Sequence, residues 1–200
     1  MSDRKLKYHI CLDDFLLLPD GSTVYRIQAD RSFGNVKEGE YGGYVGNMSN
    51  LSQTGTAWIY DEAVAYGQSR VEEHAQLRKE AVISDMVRIS GHAQVIHTKI
   101  SGDMQIGDYA KVCGNQDYVE IRGLLFEEHP IFFFRLVSGK IGVQFQDFSG
   151  DLAQFKRYVQ KIPKMKTRKE LWMLLCLIQY QFQERMKIYE DSQRTENTGT

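Results

Sequence analysis

Ala57-Trp58-Ile59-Tyr60-Asp61-Glu62-Ala63-Val64-Ala65 opens the pattern that decides the fold. A small residue is followed two places later by an aliphatic one, and the pair recurs every six residues. The small positions are Ala57, Ala63, Ser69, Ala75, Ala81, Val87 and Ala93, and their partners are Ile59, Ala65, Val71, Leu77, Ile83, Ile89 and Val95. Between them lies a variable position: Trp58, Val64, Arg70, Gln76, Val82, Arg88, Gln94. An ordinary strand alternates without a break, whereas this pattern alternates for three residues, turns a corner and starts again. It predicts a left-handed parallel β-helix over roughly Thr56–Glu120, three-sided, with about 18 residues per coil. Small and aliphatic residues point inward, and backbone hydrogen bonds run from coil to coil.

The register slips once. After Val95 the next pairs are Thr98/Ile100, Met104/Ile106 and Ala110/Val112, so the corner at Ile96–His97 is one residue short. A corner can absorb this, because it lies between the faces that carry the ladder.

Working outward, Tyr8–Leu12 reads as a strand, and Pro19-Asp20-Gly21 as a turn between Phe15–Leu18 and Val24–Ile27. The glycine-rich stretch Phe33–Val45 leads onto the first coil. After the coil, Tyr118–Phe126, Ile131–Val137 and Ile141–Phe145 read as three strands, with the Phe132–Phe134 run filling a core. Asp151–Ile162 reads as an amphipathic helix ended by Pro163. A second helix is expected near Thr167, with Glu170 completing a capping box. The expected organisation is an N-terminal β cap over 1–50, the β-helix over 51–117, an α+β module over 118–190 and a disordered tail over 191–200. The caps have a physical task, because a solenoid leaves open strand edges at both ends.

Composition narrows the function. A formal net charge of −1 gives no global field toward extended nucleic acid or an anionic membrane. Cys11, Cys113 and Cys176 are scattered and form no CxxC pair, which suits a reducing cytosol. The longest apolar run, Leu171–Ile178, is too short for a bilayer, and Met1–Lys7 leads into no signal-peptide core. A cytoplasmic protein without a cofactor is expected.

The pattern resembles the hexapeptide-repeat superfamily, which carries acyltransferases, γ-type carbonic anhydrases and non-catalytic scaffolds alike. A narrower resemblance rests on Tyr25–Ala29, Phe33–Val45, Asn50–Gln53 and Ala57–Asp61, with Ile141–Val143 and Phe148–Phe155 further on. These segments look like a group of hexapeptide-repeat proteins common in phages and prophages. That resemblance implies a phage-associated accessory protein of the host cytoplasm, a class that includes anti-defence factors.

Each candidate site has a plainer alternative. His74 and His92 are one coil apart and His97 lies at the next corner, so the three offer zinc-type nitrogens like those of γ-type carbonic anhydrases. They also stand where the coil turns, in a slot that Glu62, Gln68, Glu80, Asp103 and Asn115 fill elsewhere, and since Asn, Asp and His tolerate the left-handed backbone such corners often need, a turn accounts for every member. An acyltransferase would need a base such as His97 or His129, but no long loop interrupts the repeats. Trp58, Val64 and Val82 are outward apolar residues, expected either under the terminal segments or in the seam of a homotrimer. Arg70 and Arg88, stacked on one face, could grip phosphates, with Trp58, Tyr60 or Tyr66 beside a base. The alternative for this pair is a solvated face neutralised by Glu72 and Glu73. The sum points to a non-catalytic, homotrimeric binding protein that sequesters a host protein or a small anionic ligand. An enzyme and an assembly protein are the other classes.

Overall fold

The computed structural model describes residues 6–123 and 129–197, and beyond residue 185 it describes the helix backbone alone. The chain forms two compact units, divided after Asn115.

The first unit is a β-solenoid of about four turns, built as three ladders of short parallel strands. One ladder joins β3 (Tyr41–Val45), β5 (Val64–Ala65), β8 (Val82–Ile83) and β11 (Lys99–Ile100). The second joins β6 (Arg70–Val71), β9 (Arg88–Ile89) and β12 (Gln105–Ile106), with Leu51 bridged to Val71. The third joins β4 (Trp58–Ile59), β7 (Gln76–Arg78), β10 (Gln94–Ile96) and β13 (Lys111–Cys113). The inward aliphatics, such as Ile59, Leu77, Val95 and Val112, are fully buried. Each adds about 1.5–3 kcal/mol of apolar burial.

The coil starts earlier than residue 51, because Tyr44 and Val45 already pair in parallel with Val64 and Ala65. The short corner is also visible. Glu73 and Gly91 occupy equivalent corners 18 residues apart, whereas Asp85 and Gly102 across the shortened turn are 17 apart. All three ladders re-form beyond it. Residues with positive φ recur two places after each inward aliphatic: Asp61, Gly67, Glu73, Lys79, Asp85, Gly91 and His97. The strained slot therefore lies one residue before His74 and His92. Only His97, at the shortened corner, adopts it, with φ 49°.

The N-terminal segment closes the first coil. β1 (Tyr8–Leu17) and β2 (Thr23–Ala29) form the expected hairpin, and β2 continues the first ladder beside β3. Arg26 clamps this cap to the coil. Its Nε donates to Asp14 (2.8 Å), its Nη1 to the Gly42 carbonyl (2.9 Å) and its Nη2 to Glu62 (3.1 Å).

Lys7 is fully buried, and its ammonium donates to the carbonyls of Ala57 (3.0 Å) and Thr54 (3.4 Å). Burial, with the Arg31 charge adding to it, lowers its pKa to about 8. In the unfolded chain Lys7 keeps its proton to about 10.5. Folding thus releases a proton between those values, and the cost of burying the charge disappears as pH rises through the window. Relative to Lys7→Met, the wild type is expected to gain about 2 kcal/mol between about pH 7 and pH 9.5, measured by urea unfolding. Parallel pH profiles for the two proteins would exclude a buried ammonium. Above that window the burial-raised Tyr8 hydroxyl acts oppositely, since the unfolded phenol ionises first.

The second unit is a four-stranded antiparallel sheet, β14 (Tyr118–Ile121), β15 (Ile131–Arg135), β16 (Ile141–Phe145) and β17 (Phe148–Asp151), with two helices. The fourth strand occupies residues expected to lead directly into a helix. The expected extension of the first strand to Phe126 lies partly outside the described residues. Helix α1 (Leu152–Gln160) is capped by Asp151, which accepts from the Gln154 amide (2.8 Å) while the Gln154 side chain returns to the Asp151 amide. Helix α2 (Met165–Asn197) begins two residues before the expected Thr167 cap and continues through the segment expected to be a tail. Phe133, Val143, Phe155, Leu171, Leu175 and Ile178 form the core between sheet and helices.

Candidate functional site

The ladder of β6, β9 and β12 carries one polar residue outward from each rung. Arg70 and Arg88 are direct register partners, and Gln105 follows Arg88. Both arginines are exposed, because the alternating strand puts Val71 and Ile89 inside and the preceding residue outside. Glu72 sits between the guanidinium groups. Arg88 donates to both of its carboxylate oxygens, from Nε at 2.9 Å and Nη2 at 3.1 Å, and Arg70 Nη1 lies 3.8 Å away. The Glu72 carboxylate, more than any other group, raises the Arg88 pKa. Two cations thus share one anion.

The pair lines a polar groove of about 550 Å³ with Asn47, Ser49, Gln68 and Gln105 around it. Asn47 is fixed by accepting from the Ser49 amide (2.8 Å). The lining offers guanidinium, amide and hydroxyl groups, a set suited to oxyanions and polar ligands.

The aromatic candidates are elsewhere. Trp58 is wholly buried, with Phe33 5.3 Å and Tyr8 6.1 Å from it by ring centroid. Val64 is buried beneath Val24, Tyr44 and Leu18. Neither residue can meet a ligand or a second subunit while the N-terminal segment is in place, which corrects their assignment to a binding site or seam. Val82 is half-buried at the edge of the same cluster. Tyr60 is half-buried under the Arg78 guanidinium, 4.1 Å from its ring centroid. Tyr66 is half-buried among Val24, Tyr44 and Val64. No aromatic ring lines the arginine groove among the described residues.

The three histidines do not converge. His74 and His92 stack face to face at 4.6 Å, and Tyr109 stacks on His92 at 4.9 Å. Thr56 hydrogen-bonds His74 Nδ1 at 2.8 Å. Stacked rings hold their nitrogens side by side instead of aiming them at one point. His97, one corner away, pairs with Glu80 at 2.6 Å. Among the described residues no group of three His, Cys, Asp or Glu is placed to hold a metal ion. His129 is exposed in the second unit.

The structure assembles one group that the sequence left unmarked. His9 Nδ1 lies 2.7 Å from Asp30, and His9 Nε2 lies 3.9 Å from Cys11 Sγ. The His-x-Cys spacing, which puts both residues on one face of a strand, was its only local signal. Burial, then the carboxylates of Asp13 and Asp14, raise the thiol pKa, which opposes formation of a thiolate nucleophile.

No family model and no curated protein matches the chain. Among the described residues, no helix is long and apolar enough to cross a membrane.

Proposed function

We propose that the chain is a non-catalytic binding protein of the left-handed, hexapeptide-repeat, phage-associated class. It retains a small anionic ligand, a nucleotide or related phosphate, in the groove of Arg70 and Arg88 and so denies that ligand to its normal user in the host cytoplasm. The observation that supports this reading is the in-register arginine pair sharing the single carboxylate of Glu72. The three groups together carry one net positive charge. An incoming oxyanion competes with Glu72 for the guanidinium groups and meets the neighbouring amides of Asn47, Gln68 and Gln105.

Calorimetric titration with inorganic pyrophosphate and with nucleotides tests the site. Arg70→Ala and Arg88→Ala are each expected to weaken binding by about tenfold or more, since a charge-assisted hydrogen bond contributes about 1.5–3 kcal/mol. Glu72→Gln is expected to tighten binding by removing the competing carboxylate. Equal affinity across wild type and both arginine variants would sink the proposal. Native mass spectrometry reads the subunit number and any retained small molecule together, with a homotrimer the expected assembly. Its seam lies away from Trp58 and Val64.

A further inference from the structure

The second unit contains a cavity of about 600 Å³, within the range of small-ligand sites. It opens between the turn that joins β15 to β16 and the two helices. Ile141, Leu152 and Phe182 supply an apolar floor, and Arg135, Lys140 and Lys156 also line it. The carboxylates near these cations are already engaged. Asp117 accepts from Arg135 Nε at 2.6 Å, and the Arg135 guanidinium is further held 5.5 Å from the Phe182 ring centroid. Asp151 is the N-cap of α1 and lies 3.4 Å from Lys140. The Gln154 amide and then Lys140 hold its carboxyl below the ordinary range, so it stays an occupied anion. Lys156 donates to a neutral amide, Gln179 Oε1, at 2.9 Å. Among the described residues, three cations against two engaged carboxylates leave an excess positive charge over an apolar floor. Such charge at the edge of a greasy cavity recognises a molecule with one charged end.

The geometry points to a second binding site, in the C-terminal unit, for a small amphipathic anion. Its hydrocarbon or aromatic body lies on Ile141, Leu152 and Phe182, and its carboxylate or phosphate head meets Lys156 and Lys140. The site is independent of the arginine groove, and none of its residues belongs to the solenoid.

Sodium decanoate and decan-1-ol, matched in tail and different in head, are the probes for calorimetric titration of the full chain. Decanoate is expected to bind one to one, at least about tenfold more tightly than decanol. Lys156→Gln should remove most of that difference while leaving decanol binding unchanged. Ala153→Trp, which places an indole at the exposed start of α1, should abolish both with little change in thermal unfolding. Arg70→Ala should leave decanoate binding intact. On the wild-type protein, which needs no substitution, amide chemical shifts of Ile141, Leu152 and Ala153 should move on titration. The assignment is overturned by equal affinity for the two probes, by competition from inorganic phosphate as strong as from decanoate, or by the absence of binding and of shift changes.

Discussion

Trp58→Ala is expected to destabilise the first unit by about 3–5 kcal/mol, the range for removing a large aromatic from a core that cannot collapse around the void. The indole is fully buried where the first coil meets the N-terminal segment, edge-on to Tyr8 and Phe33. Its removal takes apolar area from both sides of that junction at once. The first coil has no earlier coil to close on the space, so relaxation would have to come from the hairpin and Phe33. Urea unfolding measures the loss. A cost below about 1 kcal/mol would show that the junction repacks freely. Trp58→Phe provides a second reading, because Trp58 Nε1 has no hydrogen-bond partner. Phenylalanine keeps most of the packing and removes an unsatisfied donor, so its cost should be well under that of alanine. A ligand or seam role for Trp58 makes a different forecast: stability nearly unchanged, with subunit number or ligand affinity altered instead.

Gly43→Ala should cost about 3 kcal/mol or more, although it adds one methyl group. A Cβ at Gly43 would stand 2.2 Å from the Ala63 carbonyl oxygen and 2.7 Å from Ile59 Cγ2. The first neighbour is backbone and cannot rotate away. That carbonyl also accepts the Tyr44 amide at 2.8 Å, the hydrogen bond that starts the β3–β5 ladder. Relief of the clash therefore stretches the contact that lays the first coil on the second. Limited proteolysis should show residues before 51 released ahead of the rest. A melting temperature within a degree or two of wild type would mean that β3 has room to shift. Gly39, whose added Cβ would meet nothing within 4 Å, is the control, with only its positive φ of 83° to strain.

The coil was legible because its constraint is local. A small residue, an outward residue and an aliphatic residue repeat inside one short window, and the missing residue before His97 shows as a break in that count. Asp151 was legible as a helix boundary for the same reason. The coverage of Trp58 and Val64 was not, since the pattern says only that they face out of the coil. What lies over them comes from the N-terminal segment up to β3, through contacts such as Lys7 to Ala57 across 50 positions and Arg26 to Glu62 across 36. Contacts of that span leave no periodic mark. The histidine slot was misjudged by one place because corner length does not reveal which residue carries the positive φ, although Gly67 and Gly91 mark it. The Arg70–Arg88 pairing was readable from their shared face, and the Glu72 bridge between them was a named alternative. The C-terminal cavity was not readable, because its cations come from a strand end, a turn and a helix.

The Lys7 ammonium has a consequence for growth of the molecule. A stack of parallel coils ends in a row of open backbone N–H and C=O groups, and another chain could add its own strand there to extend the stack indefinitely. In the ladder that ends at β4, the carbonyl of Ala57 and that of Thr54 just before it receive a lysine from the same chain instead. A charge buried at the end of a polymerisable edge acts as a terminator: it satisfies the acceptors and repels the apolar strand that would replace it. A coil arriving at this rung would find both acceptors taken, and Lys7→Met is expected to free them, which light scattering would read as growth in particle size that the wild type does not show.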